Sequence, residues 1–171
     1  MLISGISDGQ IYGDSQDLRI SWEAVDSTSG VKTLAGRLDD APYQSGLLRA
    51  LYELKLGIHA LKVTATDSAG NATEQTVTFG VTTSTRDLGN LVDRFRATGR
   101  LSQKAANTLQ AELTKVRKAE GSGNDARTVK ALEGFRAKAV DQALVTVEEI
   151  RQVLARDTDA LIARLSVRKA G

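Results

Sequence analysis

The sequence predicts two domains, an all-β sandwich followed by an all-α antiparallel four-helix bundle. Up to about residue 84, short apolar and β-branched runs alternate with glycine and aspartate turns, a pattern typical of a small all-β sandwich. Beyond that point, apolar residues recur every three or four positions, which is the spacing of one face of a helix. We therefore expect a β-sandwich over residues 1–83 and a helical bundle over residues 84–171.

The strands of the first domain are predicted from a two-residue alternation. In LRISWEA, residues 18–24, Leu18, Ile20 and Trp22 share one face, while charged and polar residues take the other. HALKVTATD, residues 59–67, and TVTFGV, residues 76–81, alternate in the same way. Their predicted inward residues are Leu61, Val63, Ala65, Val77, Phe79 and Val81.

The segment DSAGN, residues 67–71, separates the last two strands and reads as a hairpin turn, because glycine and asparagine tolerate positive φ. DSTSG, residues 26–30, is expected at the same end of the sandwich. Asp26, Asp67 and Asn71 would then be candidate calcium ligands. Calcium takes about six to eight oxygens. We therefore favour the turn and expect no metal, with calcium as the alternative.

Nucleophile and general-base patterns are weak in this chain. GISDG, residues 5–9, matches G-x-S-x-G, but it precedes a strand and not a helix, so Ser7 is interpreted as a turn residue. His59 heads a strand with no acidic partner patterned nearby, and we expect a structural corner in which it bonds the backbone. With no cysteine and no catalytic constellation, the chain is predicted to be neither an enzyme by itself nor cofactor-dependent.

The second domain has four predicted helices with marked starts. Ser84 with Asp87, and Thr146 with Glu149, fit capping boxes, and Ser102 is a further N-cap. A shared FRA motif suggests two duplicated helical hairpins that pack as a bundle. The predicted buried faces are Leu88, Leu91, Val92 and Phe95; Ala106, Leu109, Leu113 and Val116; Val129, Leu132, Phe135 and Ala139; and Val147, Ile150, Leu154, Leu161 and Leu165.

Two family resemblances follow from these segments. The stretch from ISDGQIYG to ATDSAGN, within residues 2–82, resembles the bacterial immunoglobulin-like domains that are appended to secreted enzymes and surface proteins. DLGNLVDRF with GRLS, GNDARTVKALEGF and LVTVEEIRQVLARDTDALIARL, within residues 85–165, resemble the FIMAH domain of exported bacterial proteins. These resemblances imply a non-catalytic accessory region, often beside carbohydrate-active enzymes, and an extracellular or cell-surface location.

Two functions remain compatible with these resemblances and with the sequence. The first is an accessory region that helps localise an upstream catalytic domain on polysaccharide or cell wall. The alternative is a passive spacer or interaction module without glycan affinity. The N-terminus MLISGISDGQ lacks the pattern of a secretion signal, so an exported parent protein would have to be longer than this chain.

Charge divides the domains. Residues 1–84 carry six Lys and Arg against ten Asp and Glu, a net charge of −4, whereas residues 85–171 carry 17 against 11, a net charge of +6. No apolar run approaches the roughly 20 residues of a membrane helix, and the basic half lacks the aromatic platform of a nucleic-acid binder. We therefore expect no membrane insertion and no nucleic-acid partner. The candidate ligand-binding residues are the tyrosines Tyr12, Tyr43 and Tyr52, for stacking on sugars, and the basic cluster Lys115, Arg117 and Lys118.

Overall fold

The computed structural model describes residues 1–27 and 30–168, and the chain divides into two units, Met1–Thr82 and Thr83–Gly171. The division lies one residue before the predicted boundary. Thr28 and Ser29 of the predicted DSTSG turn, and residues 169–171 of the predicted helical domain, lie outside the described residues. Within the described ranges, the helices are too short or too polar to cross a membrane.

The N-terminal unit is built from strands and one short 3-10 helix at Leu51–Glu53. Most of the strands have only three or four residues, and two of them extend over eleven. In chain order they are β1 Leu2–Ser4, β2 Gln10–Gly13, β3 Asp17–Arg19, β4 Ser21–Glu23, β5 Val31–Leu38, β6 Ala41–Tyr43, β7 Leu48–Ala50, β8 Gly57–Asp67 and β9 Ala72–Thr82.

The main sheet has five strands in the order β2-β9-β8-β5-β6, and two smaller sheets pair β1 with β4 and β3 with β7. The antiparallel β8–β9 hairpin forms the centre of the main sheet. At its edge, β2 pairs in parallel with the last residues of β9, from Gln10 opposite Phe79 to Gly13 opposite Thr82. This arrangement confirms the all-β, sandwich-like architecture of the first unit.

The predicted strand LRISWEA is divided between two sheets. β3 pairs with β7 and β4 pairs with β1, and Ile20 lies between them, fully buried. The predicted alternation nevertheless holds at Ile20 and Trp22, which face the core. That core joins the smaller sheets to the main sheet through Ile6, Ile20, Trp22, Leu38, Leu51, Leu54, Leu61, Val63, Val77, Phe79 and Val81.

The second unit is helical, and four helices follow one another: α1 Thr85–Ala97, α2 Gln103–Glu120, α3 Asp125–Ala139 and α4 Glu148–Arg168. Each helix packs on the next, and α1 also contacts α4, so every helix has two neighbours among the four. The predicted succession of an all-β unit and four helices is therefore confirmed.

The predicted helix starts are correct for α1 and α2 and differ for α4. Ser84 and Ser102 accept hydrogen bonds from the backbone three residues on, as N-caps do. The fourth helix begins at Glu148, later than the predicted Thr146 cap allows. The Glu149 carboxylate is instead 2.5 Å from the Arg100 guanidinium, so an ion pair replaces the capping box.

Most predicted helical core positions are buried. Leu88, Leu109, Leu132 and Leu154 are fully inaccessible, and most of the other predicted residues on the same faces are buried. Three predicted core residues depart from this pattern: Val129 and Leu165, at the described ends of α3 and α4, are only half-buried, and so is Val147, which lies just before α4 begins. The apolar stripes thus extend further along these two helices than their packing covers.

Candidate functional site

A basic groove lies between α2 and α3, beside the short loop that joins them. Its cavity measures about 370 Å³. We call it the α2–α3 groove. Four cationic side chains line it, two from each helix: Lys115, Lys118, Arg127 and Lys130.

Helix geometry explains why the cations come together. Residues three apart on a helix share a face, so Lys115 with Lys118, and Arg127 with Lys130, each form a pair about 4.5 Å apart along the helix axis. The chain reverses direction through residues 121–124, where Asn124 caps α3 by accepting a 2.9 Å hydrogen bond from the Arg127 backbone. The loop therefore brings both pairs to one end of the hairpin.

Small residues and one carboxylate complete the groove. Ala119, Ala131 and Gly134 provide its wall, and a Cβ at Gly134 would be 3.5 Å from Oε2 of Glu112. Glu112 also accepts a 2.8 Å hydrogen bond from Lys115. Within the described part of the chain, the other three cationic side chains have no ion-pair partner. The groove therefore offers positive charge that the protein does not neutralise itself.

The predicted cluster of Lys115, Arg117 and Lys118 is divided by the structure. Arg117 lies towards α1, where a Cβ at Gly89 would be only 2.4 Å from its Nη2 atom. It does not line the groove. Sequence reasoning missed Arg127 and Lys130, although their spacing directly after the GSGN turn is the signal that a helical hairpin provides.

Of the three predicted tyrosine platforms, Tyr52 is buried, and Tyr12 and Tyr43 are partly buried against the core of the β unit. Tyr52 is 7% exposed. Tyr12 packs edge-on against Phe79 at 6.1 Å between ring centroids, and Tyr43 packs beside Trp22 at 6.3 Å. Burial raises the pKa of Tyr43 above its ordinary value of 10.0. Tyr12 and Tyr43 are only partly buried, so their predicted stacking on sugars stays a prediction, whereas buried Tyr52 offers little surface for it.

The predicted calcium ligands are neighbours, as the sequence implied. Asp26, Asp67 and Asn71 line a cavity of about 270 Å³, and Ser68 N donates to Gly30 O at 3.3 Å, so the two loops lie side by side. The Asp67 carboxylate accepts 2.8 Å hydrogen bonds from both the backbone and the side chain of Asn71. This geometry accounts for both residues as turn chemistry. Among residues 1–27 and 30–168, no three acidic or histidine side chains gather in a metal-binding arrangement.

His59 has an acidic partner that the sequence pattern did not reveal. Its Nδ1 atom is 2.5 Å from Oδ2 of Asp39, and its Nε2 atom is 2.8 Å from the Lys55 carbonyl oxygen. Asp39 also accepts a 3.1 Å hydrogen bond from the Ala60 backbone. The predicted bond to the backbone is confirmed. Both ring nitrogens are engaged and the ring is buried, so the dyad ties β8 to the residues on either side of it in the fold.

Ser7 is also structural. Its carbonyl oxygen accepts a 3.1 Å hydrogen bond from Gln10 N in the turn that leads into β2. The residues after GISDG therefore form a strand, and the strand-to-helix turn that a hydrolase nucleophile requires is not formed here.

Comparison with known proteins finds a family match within the helical unit. Residues 85–163 match the FIMAH domain family, and the β-rich unit precedes the match. No curated protein matches the chain. The matched range begins at the first residue of α1 and extends into α4. The helical unit, including the α2–α3 groove, is thus similar to the FIMAH domain across all four helices.

Proposed function

We propose that this chain is a non-catalytic accessory region of an exported bacterial carbohydrate-active enzyme, and that it holds the enzyme on an anionic polysaccharide or cell-wall polymer. The observation that supports the proposal is the α2–α3 groove, which is lined by four cations and one carboxylate. The proposal includes an immunoglobulin-like identity for the β unit, an extracellular or cell-surface location, and an upstream catalytic domain.

The charges of the groove favour a polymeric anion. Arg127 presents a planar fork that pairs well with carboxylate, sulfate or phosphate groups, and the lysines contribute mobile point charges. Such attraction is screened beyond about 8 Å at physiological salt, so each contact is weak. A polymer that engages several cations at once compensates for this weakness.

The aromatic residues argue against a nucleic acid as the polymer. Phe95 and Phe135 are the aromatic residues of the helical unit, and they are 1% and 0% exposed. The groove therefore provides no ring on which a base could stack, and base stacking is a main source of affinity for single strands. Membrane insertion is likewise no part of the proposal.

The test compares two double variants of the full chain. Lys118→Gln with Lys130→Gln removes one cation from each wall of the groove, whereas Lys104→Gln with Lys138→Gln removes one cation from each of the same helices outside it. Retention is measured on immobilised polygalacturonate and on teichoic acid, with elution by a salt gradient. We expect the groove variant to elute at clearly lower salt than the control variant on at least one of the polymers.

Two outcomes would contradict the proposal. Equal elution of both variants would mean that the net charge acts without the groove. No retention of the parent chain on either polymer, even at low salt, would favour the alternative of a passive spacer without glycan affinity. Circular dichroism and thermal melting of both variants confirm that any difference arises at the surface.

A further inference from the structure

A second groove adjoins the first on the other side of α3. It lies between α3 and α4, and its cavity measures about 400 Å³. Lys130 lines both cavities and joins them. We call this cavity the α3–α4 groove.

The lining of the α3–α4 groove differs from that of its neighbour. Its apolar part includes Val129 and Leu165, which the sequence pattern assigns to the core and the structure leaves half-buried. Its polar part includes the carboxylates of Asp125 and Glu133 and the hydroxyl of Ser166. An apolar surface bordered by hydrogen-bond acceptors is thus partly exposed to solvent beside the cationic α2–α3 groove.

An ion pair holds the two helices together elsewhere. The Arg136 guanidinium donates to both oxygens of Asp159, at 2.5 and 2.9 Å, and this interaction raises the pKa of Arg136 above its ordinary value. Bidentate pairs of this kind fix geometry as well as adding energy. The α3–α4 contact is therefore fixed near Arg136 and leaves the groove near Val129 uncovered.

This lining suits a sugar ring and does not suit a phosphate chain. Carboxylates accept hydrogen bonds from hydroxyl groups, and an apolar surface can pack against the C–H face of a pyranose ring. A polyphosphate backbone would be repelled by the carboxylates of Asp125 and Glu133, and it has no apolar part that could pack on the apolar surface. The observations therefore favour a polymer that carries both acidic groups and hydroxyl groups.

We propose that the two grooves together bind an acidic polysaccharide, with an acidic sugar group at the cations of the α2–α3 groove and the hydroxyls of an adjoining sugar in the α3–α4 groove. This inference rests on the proposed function and specifies its ligand. Lys130 serves both parts, since it lines both cavities. A teichoic acid or polyphosphate would use the α2–α3 groove alone.

The sign of one substitution tests the inference. Glu133→Ala removes a negative charge, so attraction by charge alone predicts tighter binding of every polyanion. If Glu133 accepts sugar hydroxyls, the same variant binds polygalacturonate about threefold to tenfold more weakly, the range expected for one lost hydrogen bond, and binds inorganic polyphosphate no more weakly than before. Asp93→Ala is the matched control, because it removes one exposed carboxylate from α1. Affinities of the full chain are measured by titration calorimetry at low salt.

The possible results separate this inference from the proposed function. Weaker binding of polygalacturonate by Glu133→Ala, with no such loss for Asp93→Ala, would support the inference. Tighter binding of both polymers by Glu133→Ala, or binding of polyphosphate alone by the parent chain, would overturn the inference and leave the anionic-polymer function standing. Failure of the parent chain to bind either probe would overturn both.

Discussion

Replacing Gly36 with alanine tests the packing of the sandwich core around its one tryptophan. A Cβ at Gly36, in β5, would be 2.3 Å from Cη2 and 2.4 Å from Cζ2 of Trp22. Carbon atoms in contact prefer about 3.5–4.0 Å, so the added methyl group overlaps the ring by more than about 1 Å. Trp22 is 9% exposed and packs beside Tyr43, which leaves little room for the ring to move. We expect a loss of about 1–3 kcal/mol in the free energy of unfolding.

The effect on the melting temperature follows from the size of the unit. For a domain of about 60–100 residues, each kcal/mol shifts the midpoint by roughly 4–8 °C, so Gly36→Ala should lower it by about 4–24 °C. Trp22 is the only tryptophan of the chain, and its fluorescence therefore reports the unfolding of the β unit alone. Thermal melts followed at this signal measure the shift directly.

A second glycine provides the matched control. Gly80 lies in β9, and its added Cβ would approach the Ile11 side chain at 3.2 Å and that of Ile58 at 3.6 Å. Both isoleucines are exposed and can move aside. Gly80→Ala should therefore change the stability by less than about 0.5 kcal/mol. Equal midpoints for Gly36→Ala and the parent chain, or equal losses in the two variants, would show that the close approach to Trp22 does not control packing here.

Three further predictions concern acidic residues of the β unit. Hydrogen bonds from the Thr78 backbone and hydroxyl lower the pKa of Asp8 below its ordinary value of 3.8. The contribution of Asp8 to folding stability is therefore present above pH 3.8 and is lost as the pH falls below it. Asp8→Asn should flatten the acid limb of a curve of stability against pH, and an unchanged limb would contradict this. Asp39 and Asp40 both have positive φ, but only Asp39 bonds buried His59, so Asp39→Ala should destabilise about 1–3 kcal/mol more than Asp40→Ala in urea melts. Millimolar calcium should raise the melting temperature little, and a clear rise that Asp67→Ala abolishes would restore the calcium alternative.

The local parts of the fold could be predicted from the sequence. Alternation placed Ile20, Trp22 and Phe79 in the core, and Ser84 and Ser102 marked the starts of α1 and α2. These features depend on residues within a few positions of one another, where strand and helix periods determine the outcome. The division of LRISWEA between two sheets could not be predicted, because it depends on which distant strands pair with each half.

The candidate site was less accessible to sequence reasoning for the same reason. A run of basic residues is visible along one helix, but the groove needs Arg127 and Lys130 from the next helix and excludes Arg117, which lies against α1. Which cations reach the groove depends on the helix that each side chain faces. Arg117 faces α1, where it lies close to Gly89. The contact between Asp39 and His59 likewise spans 20 residues of sequence.

The parallel pairing of β2 with the end of β9 has a consequence for the order of folding. Residues 10–13 find their partners only at residues 79–82, so the main sheet cannot gain this edge strand until almost the whole unit has been synthesised. Contacts of such long sequence separation slow folding, whereas helical hairpins form from local contacts. Until β2 docks, the end of β9 presents unpaired backbone groups, and an open edge of this kind can pair with another chain. Production of this protein at high concentration should therefore be limited by the late docking of β2.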